Sequence, residues 1–153
     1  MHSAVIAVDK KAYVFVAPSG VGKTTHIRLW LNQFQNRAQV VNGDKPIFRF
    51  WEGVLYACGT PWQGKENLGN NIIRPVQAIC FLEQSNKNHI RLLDVSEISR
   101  RIFHQLLIPT EEEDFEHYWP LLEKMINSID FYLLQCNRDP EAAQLAYQAM
   151  RRD

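Results

Sequence analysis

The sequence predicts one α/β or α+β domain, and three observations support this fold class. The chain has 153 residues, which is the size of an ordinary single domain. Short runs of β-branched and aromatic residues alternate with segments of helical periodicity, a pattern typical of these fold classes. A glycine-rich segment, residues 17–24, lies directly between a predicted strand and a predicted helix. We therefore expect residues 1–153 to form a single domain.

The first half of the chain is predicted to contain five strands and one helix. The strands cover residues 3–8, 12–16, 39–42, 47–51 and 54–58, and the helix covers residues 24–33. In that helix, Ile27, Leu31 and Phe34 recur at spacings of four and three, which indicates one apolar face. The last two strands straddle Glu52-Gly53, which predicts a hairpin.

The second half is predicted to alternate strands and helices. Strands are predicted over residues 76–82, 89–93 and 131–136. Asp94 followed by Glu97 is the signature of a capping box and starts a helix. Pro120 is predicted to be the first position of the next helix, and Asp139-Pro140-Glu141 opens the last one.

One long loop, Gly59–Asn71, interrupts these elements. It contains three glycines, three asparagines and one proline, residues that favour turns over regular structure. Loops of this length inside a compact domain are usually functional or mobile. We therefore expect this segment to contribute to function.

The composition excludes several classes of protein. Hydrophobic residues make up 46% of the chain and charged residues 22%, as in folded globular domains rather than disordered ones. Lys plus Arg and Asp plus Glu number 17 each, so no overall charge favours nucleic acid or a membrane surface. No apolar run approaches the roughly 20 residues of a spanning helix, and no secretory signal is recognisable. With three cysteines and no CxxC spacing, we expect a cytoplasmic protein with reduced thiols.

The strongest motif is APSGVGKT, Ala17–Thr24, which is a phosphate-binding loop (P-loop). Backbone N–H groups of a glycine-rich turn and a helix N-terminus bind phosphate oxygens, Lys23 neutralises the β and γ oxygens, and the Thr24 hydroxyl ligates Mg²⁺. Ala17 replaces the first glycine of the motif, which requires a negative φ there. The predicted nucleotide-binding residues are Ser19, Gly20, Val21, Gly22, Lys23, Thr24 and Thr25.

A P-loop enzyme also needs a carboxylate at the end of a neighbouring strand to hold the Mg²⁺ shell. Asp44 follows the strand predicted over residues 39–42 and is the candidate for this role. We therefore predict Thr24 and Asp44 as metal ligands, and Lys23 and Asp44 as catalytic residues. The sequence does not favour a GTPase, because the nearest match to the GTPase base-recognition motif, residues 86–89, has His89 in place of Asp.

Four segments together resemble the kinases related to HPr kinase and to phosphoenolpyruvate carboxykinase: APSGVGKTT, VVNGDKP, GTPWQGKENLGNN and PVQAICFLEQSNKN. The resemblance covers nearly the whole chain and implies a mixed β-sheet flanked by helices. It also implies an ATP-dependent phosphotransferase that uses Mg²⁺, with Mn²⁺ as the alternative ion. The acceptor would be a hydroxyl of a small molecule or of a serine in a small protein or peptide. Two alternatives stay open, a non-catalytic nucleotide-binding regulator and a carboxykinase-like enzyme.

One position departs from the HPr kinases, which carry two adjacent acidic residues at the second motif. The first of the pair, the general base, falls on Gly43. Glu66 and His2 are the remaining candidates for a base. Lys65, in the 59–71 loop, is predicted to contact the γ-phosphate or the acceptor and is our third catalytic candidate. The acceptor, the preference for ATP or GTP and the formation of a homo-oligomer stay open.

Overall fold

The computed structural model describes residues 1–152, which contain eight strands and four helices. The strands are β1 (Ala4–Val8), β2 (Lys11–Val16), β3 (Ala38–Asn42), β4 (Ile47–Trp51), β5 (Val54–Cys58), β6 (Ile73–Gln84), β7 (His89–Leu92) and β8 (Asp130–Cys136). The helices are α1 (Lys23–Phe34), α2 (Val95–Ile102), α3 (Glu112–Ser128) and α4 (Pro140–Met150), with 3₁₀ turns at Gln35–Arg37 and Phe103–Gln105.

The directions of the strands bring four strand ends to one edge of the sheet. β1 is antiparallel to both β2 and β3, so β2 and β3 run in the same direction. β6 is parallel to β2, and β8 is parallel to β6. We call the edge where β2, β3, β6 and β8 end, and where β1 begins, the carboxyl edge. In open sheets of this kind, ligands bind at such an edge.

Both faces of the sheet are covered. On one face, α1 and α4 pack through apolar residues such as Trp30 and Ala146 against β1, β2 and β6. On the other face lie α2, α3 and the β4–β5 hairpin, whose strand β5 pairs with the first residues of β6. The fold is therefore a mixed α/β domain with helices on both sides of the sheet, which confirms the predicted fold class.

Most predicted elements are confirmed, and the start of α3 was predicted wrongly. The β4–β5 hairpin has the predicted limits, and the capping box forms, with the Glu97 amide donating to Asp94 Oδ1 at 2.8 Å. α3, however, starts at Glu112 and contains Pro120 in its interior. Pro120 is exposed, so water can satisfy the carbonyl that the missing proline N–H leaves free. The acidic first turn of α3 also favours a helix start there.

Among residues 1–152, no helix combines the length and the apolar character that crossing a bilayer requires.

Candidate nucleotide-binding site

The P-loop connects the buried end of β2 to α1 in the conformation that its sequence requires. Gly20 and Gly22 have φ values of 84° and 112°, which lie in the left-handed region where a residue without a Cβ is favoured. Ala17 lies outside this region, as its replacement of glycine requires. The loop therefore keeps its shape despite the altered first position.

Lys23 is the first residue of α1, and its side chain folds back into the P-loop. Its Nζ donates to the carbonyl oxygens of Ala17 and Pro18. Only 8% of the residue is exposed. Burial lowers the pKa of the amine, and the nearby negative charge of Asp44 opposes this shift. The cation therefore lies inside the loop, within electrostatic reach of the predicted metal ligand.

The N-terminus of α1 carries an uncompensated positive potential. Gly22 precedes the helix, and its first turn contains no acidic residue. Ile27 and Trp30 are buried and anchor one face of the helix in the core, which fixes the direction of the helix N-terminus. An anion at the carboxyl edge would therefore meet both the helix terminus and Lys23.

Asp44 lies at the same edge because β3 runs parallel to β2. The side chain of Asn42 holds the turn, since its Oδ1 accepts from the amides of Asp44 (2.9 Å) and Lys45 (2.8 Å). The carbonyl oxygen of Asp44 accepts from the Ser3 amide at 3.1 Å. One carboxylate oxygen, Oδ1, lies 2.9 Å from His2 Nε2. The aspartate is therefore fixed through its backbone, and His2 is a direct neighbour of its carboxylate.

Of the two alternative bases, only His2 contacts Asp44. It does so because β1 begins at the carboxyl edge and the residues before it cross the end of β3. Glu66 instead pairs with Arg28 of α1, with 2.6 Å between Oε2 and Nη2, and both side chains are largely solvent-exposed.

A buried polar network beneath Asp44 was not found from the sequence. Asn42 Nδ2 donates to the carbonyl oxygen and to the hydroxyl oxygen of Thr60, at 3.1 Å each. The Thr60 hydroxyl in turn donates to the carbonyl of Lys45 at 2.8 Å. These bonds attach the start of the 59–71 loop to the turn that carries Asp44. Asn42 ends one predicted strand and Thr60 closely follows another, but the pairing between them is not visible in the sequence.

The 59–71 loop crosses the end of β3 and covers Asp44. The Asn70 amide donates to Val41 O at 3.2 Å, and the Gly43 amide donates to Leu68 O at 2.9 Å. Gly64 has a φ of 73°, and a Cβ there would lie 3.1 Å from the Cβ of Asp44. A glycine at position 64 therefore allows the loop to approach the predicted metal ligand.

The position of the missing acidic residue is closely packed against the loop. A Cβ added to Gly43 would lie 3.1 Å from the Cβ of Leu68 and 3.2 Å from its carbonyl oxygen. The carbonyl oxygen of Gln63 would be 3.6 Å away. A side chain at position 43 would therefore require Leu68 to shift by a few tenths of an ångström.

The predicted site residues differ in exposure. Lys65 is exposed and has no hydrogen bond or ion pair within residues 1–152. The backbone of Gly64 brings this part of the loop close to Asp44. The other predicted positions are exposed at Ser19 and Gly20, buried at Lys23, and half-buried at Val21, Gly22, Thr24, Thr25 and Asp44.

A polar cavity of about 610 Å³ lies beside the P-loop, between α1 and the ends of β6 and β8. We call it the α1 cavity. Thr25 and Leu29 line it on the helix side, and Asn137 and Arg138 line it after β8. Gln84 Nε2 donates to Val21 O at 3.2 Å and so connects the end of β6 to the P-loop. The cavity adjoins the loop and has the size of a small-ligand site.

His26 is buried in the core and also lines the α1 cavity. The residue is 3% exposed, and its ring packs against Phe15 with ring centroids 4.5 Å apart. Its Nε2 accepts from Trp30 Nε1 at 2.9 Å. Burial lowers the pKa of His26 to about 3, so the imidazole is neutral at physiological pH.

Comparison with known proteins gives a likeness in fold alone. No protein-family model matches the chain, and no curated protein sequence matches it. The solved structure of the HPr(Ser) kinase/phosphatase from Coxiella burnetii is similar, with a TM-score of 0.52 at 13% sequence identity. The match covers 97% of this chain and 91% of that one. The chain therefore shares its overall fold with that protein.

Proposed function

We propose that this protein binds ATP and transfers its γ-phosphoryl group to a hydroxyl acceptor. The observation that carries the proposal is that the P-loop, the start of α1 and Asp44 all lie at the carboxyl edge. Lys23 Nζ lies inside the loop, where the negative charge of Asp44 acts on it. The fold likeness to an HPr(Ser) kinase/phosphatase is consistent with it.

In this proposal the P-loop holds the triphosphate. The backbone amides from Ser19 to Thr25 bind phosphate oxygens, and Lys23 leaves the Ala17 and Pro18 carbonyls to contact the β- and γ-phosphates. The α1 cavity receives the nucleoside, because it adjoins the P-loop through Val21 and Thr25.

Thr24 and Asp44 fit a magnesium ion. A hydroxyl and a carboxylate are hard oxygen ligands of the kind that Mg²⁺ prefers, and Mn²⁺ accepts the same set. When bound, the ion neutralises charge on the transferring phosphoryl group. The hydrogen bonds of Asn42 to the backbone of residues 44 and 45 hold Asp44 in place for this role.

The proposed reaction joins the acceptor oxygen to the γ-phosphorus. The bond from that phosphorus to the β–γ bridging oxygen breaks, its electron pair leaves with ADP, and the hydroxyl proton is released. Lys65 is proposed to contact the transferring group, because it is exposed, unpaired within residues 1–152, and adjacent to the glycine that lies against Asp44.

Thermal melting with nucleotide tests the binding step. MgATP at about 100 times its dissociation constant should stabilise the fold by about 2.7 kcal/mol, a rise of roughly 5–10 °C for a domain of this size. Lys23→Met should abolish the rise, because it removes the charge but keeps the apolar stem. Lys11→Met, at the opposite end of β2, is the matched control and should keep it. An unshifted melting temperature in the unmodified protein would disprove nucleotide binding.

The metal role of Asp44 has its own test. Asp44→Asn should weaken MgATP binding much more than binding of ATP in EDTA, because only the metal contact is lost. Isothermal titration under both conditions measures the difference. Equal weakening would make Asp44 a structural turn residue.

A non-catalytic nucleotide-binding regulator is the second candidate, and one observation favours it. The acidic residue of the HPr kinases is replaced by Gly43, and Leu68 packs closely against that position. Incubation with γ-labelled ATP separates the two candidates. A kinase labels an acceptor or slowly releases labelled phosphate, whereas a regulator shows the melting shift with neither.

A further inference from the structure

An apolar groove lies beside the proposed phosphoryl-transfer site. It has a volume of about 850 Å³ and runs between the β4–β5 hairpin and α3. His2 and Lys45, the neighbours of Asp44, line its inner end. His104 and Gln105 line the groove and also a smaller cavity of about 430 Å³ against Ala17 and Pro18. His104 and Gln105 therefore border both the groove and the cavity against the P-loop.

The side chains along the groove are unusually exposed for apolar residues. Leu107 is 85% exposed, Trp62 is 62% exposed and Leu121 is 54% exposed. Contiguous apolar surface on a folded domain is typical of binding sites. Trp62 comes from the 59–71 loop, so the loop that covers Asp44 also forms a wall of the groove.

One wall of the groove is an open strand edge. β4 pairs with β5 alone among the strands within residues 1–152, and residues 47–50 of β4 line the groove. An unpaired strand edge offers backbone N–H and C=O groups that an extended peptide can bind. A small molecule would use the apolar walls but leave these groups unused.

The charges along the groove have one sign. Its charged side chains are Lys45 and Arg49, and no Asp or Glu among residues 1–152 lines it. An acidic occupant is therefore electrostatically matched, and a basic one is not. The acidic residues at the start of α3 lie on a separate surface.

We infer that the groove binds an extended acidic peptide segment with apolar side chains, whose hydroxyl is the phosphoryl acceptor. The inference rests on the proposed function. The peptide adds to the β4 edge, places apolar side chains between Phe48 and Leu121, and places its acidic groups near Lys45 and Arg49. Its hydroxyl then lies at the inner end of the groove, beside Asp44 and the P-loop.

The experiment uses four fluorescent nine-residue peptides with a central serine. Three have alternating apolar flanks combined with Asp, Lys or Asn, and the fourth is polar throughout. Binding is measured by fluorescence anisotropy without nucleotide, and labelling is measured with γ-labelled ATP. The apolar Asp peptide should bind at least about 10-fold tighter than the apolar Lys peptide, a difference of about 1.4 kcal/mol.

Three variants locate the binding to the groove. Leu121→Glu should weaken the apolar Asp peptide at least about 10-fold, since it adds a repelling charge to an apolar wall. Leu92→Glu, at a residue 58% exposed on β7, is the matched control and should change binding little. Arg49→Glu should shift the preference from the Asp peptide toward the Lys peptide.

Several results would overturn the inference. These are equal binding of all four peptides, binding of none of them, or equal effects of Leu121→Glu and Leu92→Glu. A dimer in size-exclusion chromatography that Leu121→Glu dissociates would assign the groove to self-association instead. Anisotropy measures peptide binding without nucleotide. A groove that does not bind the peptides and a protein that shows no MgATP melting shift are therefore separate results.

Discussion

Restoring the acidic residue at position 43 should harm the protein rather than activate it. The resemblance to HPr kinases alone would suggest that Gly43→Asp supplies a missing base. In the structure, a Cβ at this position comes within 3.1 Å of the Leu68 Cβ and 3.2 Å of its carbonyl oxygen. An aspartate would also bring its negative charge close to the carbonyl oxygens of Leu68 and Gln63. Leu68 would have to shift by a few tenths of an ångström to make room.

The expected cost follows from two opposing effects. Overpacking lowers the free energy of unfolding by about 1–3 kcal/mol. Replacing glycine by alanine at a permitted φ raises it by about 0.4–1 kcal/mol, because alanine reduces the conformational entropy of the unfolded chain. Gly43 has no positive φ, so the second effect applies there. Gly43→Ala should therefore lose about 0–2.6 kcal/mol, and Gly43→Asp should lose more, because it adds a negative charge next to the carbonyl oxygens of Leu68 and Gln63.

Urea unfolding and melting curves measure these losses, at about 2–4 °C for each kcal/mol in a domain of this size. Gly53→Ala is the contrast, because Gly53 has a φ of 79° and open space around the added Cβ. It should lose stability through backbone strain alone and keep the MgATP melting shift. If Gly43→Asp is as stable as the unmodified protein and transfers phosphate faster, position 43 is a vacant base site and our interpretation is wrong.

Two further predictions concern single side chains. Lys65→Ala should lower turnover at least about 10-fold, a barrier increase of about 1.4 kcal/mol, and should change the MgATP melting shift less. Steady-state kinetics measure this effect, with Lys87→Ala as an exposed control. Unchanged turnover would make Lys65 a surface residue. Arg91 lowers the pKa of Glu97 to about 2 from 4.5, so this pair stabilises the fold above about pH 4.5 and loses its effect as the pH falls toward 2. The difference in melting temperature between Glu97→Gln and the unmodified protein should therefore shrink over that range, and a difference independent of pH would contradict the assignment.

The elements that the sequence predicted well depend on residues close together in the chain. The β4–β5 hairpin follows from Glu52-Gly53, and the start of α2 follows from the reciprocal bonds of Asp94 and Glu97. The P-loop is likewise one continuous segment. The start of α3 was missed because a proline at the first position of a helix and an exposed proline inside one have similar local patterns, and only packing distinguishes them.

The parts of the site that the sequence could not predict depend on strand register. His2 meets Asp44 because β1 lies between β2 and β3 and begins where β3 ends, and no local pattern encodes this pairing. The burial of Lys23 was also not predicted, and it depends on the backbone of the P-loop rather than on strand register. A lysine next to a glycine-rich loop is expected to be exposed. Its amine is enclosed because the carbonyls of Ala17 and Pro18 point into the loop.

The contacts of the 59–71 loop divide it into an anchored part and a tip. Backbone hydrogen bonds join Asn70 to Val41 of β3 and Leu68 to Gly43 directly after it, so the entropy cost of placing this part over Asp44 is already met without nucleotide. At the tip, Glu66 is held by an exposed ion pair with Arg28, and such pairs contribute only about 0–1 kcal/mol. A phosphate group could therefore compete with Glu66 for the nearby cations at little cost. Under the proposed function, closure over a triphosphate would rearrange the tip around Lys65, while the anchored part keeps its backbone hydrogen bonds.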